Sequence, residues 1–248
     1  MPSIVKVRWK KEELWRAELL LAGESGFGTK SLEPGSKINF EVTNKRRCTG
    51  YSSDIGERKP CPEYRKIDSG SKCFSCRQND IYTNYVRGTG GLDTDKNFSV
   101  YLVQSGNAVK VGVTRSEKLE RRWVEQGADF GCEIFSDLTS EKALKKEKTV
   151  SENKNIKQRI RKEKKLEKPS ENKLEEIINN EGYETSVINL RDKTVYGKVS
   201  GHNLSRKGRI SGKIKSVKGQ IVSTKRVSMA MTQGKVVRKP VQQGLDGF

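Results

Sequence analysis

The 248-residue chain carries 50 lysines and arginines against 31 aspartates and glutamates, a formal net charge of +19, and only 32% hydrophobic residues. This composition is lean for one large core and favours several small modules joined by solvated segments. No apolar run of about 18 residues is present, which excludes a transmembrane helix, and the N-terminus has no apolar signal-peptide region. We therefore expect a cytoplasmic protein without a membrane partner.

The positive charge is concentrated in two segments. Residues 141–168 carry a net +7, and residues 191–248 carry a net +12. A phosphate backbone selects clustered positive charge, because binding releases condensed counterions. The clustering predicts nucleic acid as the partner. The alternative is a soluble, highly charged protein of a high-potassium or hot cytoplasm.

Residues 1–47 are predicted to form an N-terminal β region. The runs 4–9, 17–21 and 37–42 are typical of strands, and turn sequences rich in glycine separate them. This region contains no catalytic pattern.

Residues 48–91 are predicted to be a metal-binding segment with Cys48, Cys61, Cys73 and Cys76 as ligands. The last two form a Cys-x-x-Cys pair, whose spacing lets both thiolates bind one tetrahedral metal. The surrounding segment has few apolar residues and cannot hold its shape by burial, so a metal would have a structural role. Thiolate ligands favour Zn²⁺, while an iron–sulfur cluster, a disulfide pair and free thiols remain alternatives.

Residues 92–168 are predicted to form a β-β-α-β-α core. Runs 99–103 and 109–113 indicate a hairpin with a turn at 105–107. A helix is expected from Ser116 to about Gln126, with Gly127 ending it. A third strand is expected at 132–135, followed by a helix that starts at Thr139 or Ser140. The second helix is expected to continue as a basic helix to residue 168.

This core resembles the GIY-YIG nuclease fold. Tyr101 stands where the tyrosine of the first family motif stands, and Lys110-Val111-Gly112 stands at the second motif, so that Lys110 replaces its tyrosine. Arg122 and Glu147 match the family's arginine and metal-holding glutamate, and Gln126 takes a position that is often His or Tyr. The residue sequence of the core also resembles that of a prokaryotic family in which a cysteine-rich segment precedes such a core.

The resemblance implies a metal-dependent endonuclease that acts on DNA more readily than on RNA. In this role Tyr101 would orient or deprotonate water, and Lys110 would contact the scissile phosphate. Arg122 would clamp that phosphate, and Glu147 would hold Mg²⁺ or Mn²⁺. The alternative is a non-catalytic nucleic-acid-binding protein with a degenerate core. The one histidine, His202, lies outside the core, which excludes a histidine-based triad there.

Helical periodicity supports an inward position for Glu147. Ala143, Leu144, Glu147 and Val150 fall on one helix face. A carboxylate on a buried face needs a partner, which is either Arg122 in a structural salt bridge or a metal ion.

Further basic residues are candidates for contact with nucleic acid. Arg115 and Arg121 adjoin the arginine motif, and Arg121 could be the clamp in place of Arg122. Residues 169–248 are predicted to form a small β-barrel of SH3 or OB type, with Lys213, Lys215 and Lys218 on one face. The predicted fold class is therefore α+β, with an N-terminal β region, a four-cysteine zinc site, a GIY-YIG-like core and a C-terminal barrel.

Overall fold

A computed structural model describes residues 1–54, 56–86, 97–153, 156–196 and 203–240. The histidine at position 202, the glycine-rich stretch 87–91 and the end of the chain from 241 lie outside the described residues. The helices are α1 (Phe74–Gln78), α2 (Ile81–Val86), α3 (Leu119–Gln126), α4 (Ser140–Asn153) and α5 (Lys173–Glu181). The strands are β1 (Ser3–Lys11), β2 (Trp15–Gly23), β3 (Gly26–Ser31), β4 (Lys37–Arg46), β5 (Phe98–Ser105), β6 (Ala108–Arg115), β7 (Phe130–Leu138), β8 (Ile188–Asn189), β9 (Leu204–Ser205), β10 (Gly208–Lys218), β11 (Ile221–Thr224), β12 (Ser228–Ala230) and β13 (Lys235–Arg238).

The larger of two sheets combines strands from both ends of the chain. Its order is β3-β2-β1-β13-β4-β10-β11-β12-β9. Strand β4 lies between two C-terminal strands, with Val42 opposite Val237 of β13 and Gly208 of β10. The mixed α+β class is thus confirmed, but the predicted separate C-terminal barrel is wrong. Alternating apolar residues identify individual strands but not the strands with which they pair. The partners of β4 lie some 170 to 195 residues later in the chain, beyond the range of a local pattern.

The smaller sheet has the order β6-β5-β7-β8. Strand β5 is central, and all eight of its residues are buried. One face of the sheet packs against α4 through residues such as Val100 and Leu102. On the other face, Tyr101 and Val103 join Trp123 of α3 and the core of the larger sheet. Both sheets therefore share one hydrophobic core through the face that carries Tyr101.

The predicted β-β-α-β-α order is confirmed in β5, β6, α3, β7 and α4. Gly127 ends α3 in the left-handed conformation, at φ 71°, and its backbone N–H bonds back to the last turn of the helix. Cys132 is fully buried in β7, as expected of a residue on the core-facing side of a strand.

The predicted basic helix beyond α4 is wrong. Helix α4 ends at Asn153, and residues 156–168, here called the basic strap, contain only a 3₁₀ turn at Glu163–Leu166. The carbonyl of Lys157 accepts a hydrogen bond from the N–H of Val111 at 3.1 Å, so the strap extends the edge of β6. The apolar residues Ile156, Ile160 and Leu166 are too sparse to form the continuous stripe that a packed helix needs.

Among the described residues, no helix is both long and apolar enough to cross a membrane.

Candidate functional site

Tyr101 lies at the centre of the site, on β5 beneath α3. Its side chain is only 1% exposed, and its ring packs edge-on to Trp123 with 6.1 Å between ring centres. Its hydroxyl accepts a hydrogen bond from Nε2 of Gln126 at 2.7 Å. Burial raises the pKa of the Tyr101 hydroxyl, so the phenol stays protonated near neutral pH.

Gly112 makes room for this tyrosine. The two residues are directly opposite each other on β5 and β6. A Cβ atom at position 112 would lie 2.5 Å from the Tyr101 hydroxyl, closer than any side chain could tolerate. The glycine of the Lys-Val-Gly motif is therefore required by the position of Tyr101 rather than by a turn.

Lys110 lies two residues before Gly112 on β6 and thus on the same face of the sheet. Its Nζ is 5.8 Å from the centre of the Tyr101 ring. Burial, together with the charge of Arg122, lowers the pKa of Lys110 to about 8, although Glu147 partly offsets the effect. Lys110 is therefore a cation that gives up its proton close to physiological pH.

Arg122, and not Arg121, points toward Tyr101. The charge of Arg122 opposes the rise in the pKa of the Tyr101 hydroxyl. The side chain of Arg122 remains half exposed. Arg121 instead lies 3.3 Å from Glu125. Of the two candidate clamps, only Arg122 shares the electrostatic environment of Tyr101 and Lys110.

Glu147 lies on α4, which packs on the face of the smaller sheet opposite Tyr101, and its charge acts on both Lys110 and Tyr101. It is half-buried, and burial raises the pKa of its carboxyl, while Lys110 lowers it. Within the described parts of the chain, Glu147 has no ion pair within 4 Å, and the carboxylate partner of Arg122 is Glu125, at 3.8 Å. The Arg122–Glu147 salt bridge, one of the two alternatives for this carboxylate, is thus absent there. Leu144 is 46% exposed, so the inward face of α4 is narrower than the periodicity predicted.

Lys165 of the basic strap completes the site and is missed by the sequence analysis. Its ammonium donates a hydrogen bond to the carbonyl oxygen of Gln126. Burial lowers the pKa of Lys165 to about 8, and repulsion from Lys110 and Lys162 contributes. The only sequence signal was that the run around Lys165 lacks a helical apolar period. Lys110, Arg122 and Lys165 therefore repel one another, while Glu125 pairs with Arg122.

The four predicted cysteine ligands converge on one point. The sulfurs of Cys48, Cys61, Cys73 and Cys76 all lie within 4.8 Å of one another, and those of Cys61 and Cys73 are 4.0 Å apart. A tetrahedral Zn²⁺ with bonds of about 2.3 Å would place its sulfurs roughly 3.8 Å apart. All four residues are buried and none forms a disulfide. The cluster can thus hold a metal ion.

Asp80 stabilises the loops around the cysteines. It is fully buried and pairs with Nζ of Lys72 at 2.6 Å. It also accepts hydrogen bonds from the backbone N–H groups of Ser52 and Thr83, both at 2.9 Å. These partners overcome the effect of burial and lower the pKa of Asp80 to about 2. The charged carboxylate therefore ties the first and last parts of the segment together.

A family model described as "Protein of unknown function (DUF2797)" matches residues 90–231, which is more than half of the chain. The chain belongs to the DUF2797 family. No curated protein and no solved structure matches it. The span matched to DUF2797 includes Tyr101, Lys110, Arg122 and Glu147 together with the basic strap, and it begins after the last cysteine of the cluster.

The remaining predicted contacts of this DUF2797 protein do not form one surface. Lys213 and Lys215 are exposed on β10. Lys218 differs from them, because its side chain is largely buried and lies 2.7 Å from Asp129 in an ion pair. Arg115 is only 7% exposed and lies 3.7 Å from Glu117.

Proposed function

We propose that this DUF2797 protein is a metal-dependent endonuclease with a GIY-YIG-like core. The observation that supports the proposal is the electrostatic coupling of Tyr101, Lys110, Arg122 and Glu147, in which neither Lys110 nor Glu147 has an ion pair within 4 Å among the described residues. Phosphodiester hydrolysis needs an anion-binding site, a proton acceptor and a group that can hold a divalent metal. The site provides a candidate for each.

Each residue has a distinct role in this proposal. Arg122 binds the scissile phosphate, because its forked donors match phosphate oxygens and half of its side chain is exposed. Lys110 accepts a proton from the attacking water, since a base with a pKa near the working pH is the most effective. Tyr101, protonated and buried, positions Gln126 through its hydroxyl.

Glu147 would hold Mg²⁺ or Mn²⁺. Hard divalent cations prefer carboxylate oxygens, and this carboxylate is half-buried without an ion-pair partner in the described part of the chain. When bound, such an ion would stabilise negative charge on the phosphate. Acidification would weaken metal binding sooner than for an ordinary glutamate, because burial raises the pKa of Glu147.

DNA is the proposed substrate in preference to RNA, following the resemblance of the core to DNA-cleaving enzymes. The four-cysteine cluster is proposed to hold structural Zn²⁺ rather than an iron–sulfur cluster. Four buried thiolates leave no open position for a substrate, as is usual for structural zinc.

A non-catalytic nucleic-acid-binding protein is the second candidate. It is favoured by the 1% exposure of Tyr101 and by Gln126, which holds the tyrosine hydroxyl at 2.7 Å. In that case Lys110, Arg122 and Lys165 would bind a phosphate without cleaving it.

Cleavage of labelled duplex, single-stranded and branched DNA, and of RNA, tests the proposal in the presence of Mg²⁺ or Mn²⁺. The variant Arg122→Gln is compared with Arg121→Gln, which removes the same charge from the neighbouring residue. We expect the wild type and Arg121→Gln to cut and Arg122→Gln to lose activity by about 100-fold or more. Binding without cutting by the wild type on every substrate would support the second candidate instead.

A further inference from the structure

A second basic feature lies beside the candidate site. It is a cavity of about 950 Å³ between the basic strap, the start of β6 and the larger sheet. Eight lysine and arginine side chains line it, and none of its described lining residues is acidic or aromatic. A site with this lining selects polyanions and has no platform for base stacking.

Five of the cations come from the basic strap. They are Lys157, Arg159, Arg161, Lys162 and Lys164. The first three lie in the part of the strap that precedes its 3₁₀ turn, and all three line the same cavity.

The other three cations come from the larger sheet and its loops. Lys235 of β13 is only 9% exposed, and its ammonium bonds to the carbonyl oxygen of Arg206. Arg46 of β4 bonds to the carbonyl oxygens of Gly70 and Gln233, at 2.6 and 3.0 Å. Backbone carbonyls thus fix the orientation of these cations without neutralising them.

Carboxylates compensate little of this charge. Glu163 pairs with Arg206 at 2.6 Å, and Glu167 pairs with Lys164 at 2.7 Å. Within the described residues, Lys157, Arg159 and Arg161 have no ion pair within 4 Å. Burial, with a further contribution from repulsion by neighbouring cations, also lowers the pKa of Lys162 and of Lys235.

The cavity adjoins the candidate site along β6. Ala108 and Val109 form part of its wall, and the next residue of β6 is Lys110. Lys157 also forms a backbone bridge with Lys110. A nucleic-acid strand with a phosphate at Lys110 would therefore pass beside the basic strap.

We propose that this cavity binds the phosphate backbone of the nucleic-acid strand that flanks the phosphate at Lys110, and that it does so without reading bases. The inference rests on the proposed nucleic-acid substrate but not on its cleavage. It assigns most of the binding energy to the basic strap rather than to the exposed lysines of β10.

Fluorescence anisotropy on the full chain tests this, without added Mg²⁺ or Mn²⁺ so that the probe stays intact. The probes are a labelled 20-nucleotide single strand, an abasic strand of equal length, and inorganic tripolyphosphate as a competitor. The triple variant Lys157→Gln/Arg159→Gln/Arg161→Gln is compared with Lys30→Gln/Lys225→Gln/Arg226→Gln, which removes three exposed charges elsewhere. A third variant, Lys157→Arg/Arg159→Lys/Arg161→Lys, keeps the charge and tests whether the strap tolerates substitution.

We expect the first triple variant to weaken binding by about tenfold or more. The slope of log K against log salt should fall by about 2, since each contact to a single strand contributes about 0.7. The control and charge-conserving variants should bind within about twofold of the wild type, as should the abasic strand to the wild-type protein.

Three results would overturn the inference. They are unchanged affinity and slope in the first variant, much weaker binding of the abasic strand, and loss of tripolyphosphate binding with unchanged strand binding. The last result would assign the cavity to a small polyphosphate. If binding depends on the strap but no substrate is cleaved, only the proposed nuclease activity is contradicted. If substrates are cleaved but binding does not depend on the strap, only this inference is contradicted.

Discussion

The pKa of Lys110 lies near 8 because the fold partly buries its ammonium beside Arg122. If Lys110 accepts a proton during hydrolysis, only its neutral form is active. Because the neutral fraction grows as pH rises, kcat/KM should rise about tenfold per pH unit below pH 8 and level off above it. Single-turnover cleavage between pH 6 and 9.5 measures this profile.

The variant Lys110→Met provides the control for that profile. It removes the titrating group, so the remaining activity should be low and the step near pH 8 should disappear. A wild-type rate that falls as pH rises through 8 would show instead that the charged ammonium is needed, and Lys110 would then be a phosphate ligand.

The resemblance at short motifs singled out four residues from local sequence, and in the structure Arg122 and Glu147 both act electrostatically on Tyr101 and Lys110. Gly112 was part of the motif, but the motif alone does not explain why a glycine is needed there. The explanation is that Tyr101 fills the space beside Gly112, which follows only from the pairing of β5 with β6. Lys165 and Lys218 could not be assigned in this way. Their environments are created by Gln126 and Asp129, which lie far away in the sequence.

The four-cysteine segment is the element whose stability we expect to depend most on a bound metal. Its buried core consists of the cysteines with Tyr51 and Ile67 against them, which is too little apolar surface to stabilise loops of this length. We expect about one zinc per chain, and expect Cys76→Ser to lose that zinc and to lower the melting temperature. Metal analysis and thermal unfolding measure both effects.

The matched control is Cys132→Ser, which alters a buried thiol outside the cluster and should retain the metal. Zinc content that is the same in wild type and Cys76→Ser would contradict the assignment. A visible absorption band with bound iron would replace zinc by an iron–sulfur cluster.

Secondary-structure elements and the cysteine cluster could be predicted where the sequence pattern that specifies them spans only a few residues. The Cys-x-x-Cys spacing, the hairpin turn and the glycine after α3 each act within a few residues. The basic strap was predicted as a helix because its charged residues favour helices, but contacts with β6 determine its conformation. A local propensity was overridden there by backbone pairing with an edge strand.

In the whole molecule, the N-terminal and C-terminal strands depend on each other for folding, because they pair within the larger sheet. Strand β13 lies between β1 and β4, and β10 pairs with the other edge of β4. A fragment of residues 1–168 would expose unpaired edges of β1 and β4 and half of the shared core. We expect this fragment and fragment 169–248 to be unfolded or aggregated when produced alone.

A chain that ends at residue 240 serves as the control, because it keeps every described strand, and it should unfold like the full chain. Circular dichroism and tryptophan fluorescence should report one coincident transition for the full chain. A folded, monomeric fragment 169–248 would contradict this account.

Strands of the larger sheet could be recognised from alternating residues, but their order could not. Turn sequences and alternation fix pairing only between neighbours in the chain, whereas β4 pairs with strands about 170 to 195 residues later. The sequence therefore favoured separate modules where the fold has one shared core.

Metal-dependent DNA cleavage that uses Glu147 is tested most directly by the single-turnover rate of cleavage in Mn²⁺. The rate is measured for the wild type, Glu147→Gln and Glu152→Gln. Glu152 lies on the same helix but is exposed, so it controls for the loss of a charge. We expect Glu147→Gln to cut about 100-fold or more slowly while its DNA affinity stays within about twofold, and Glu152→Gln to behave as the wild type. Equal cleavage rates for all three proteins, or no cleavage by any of them, would contradict the claim.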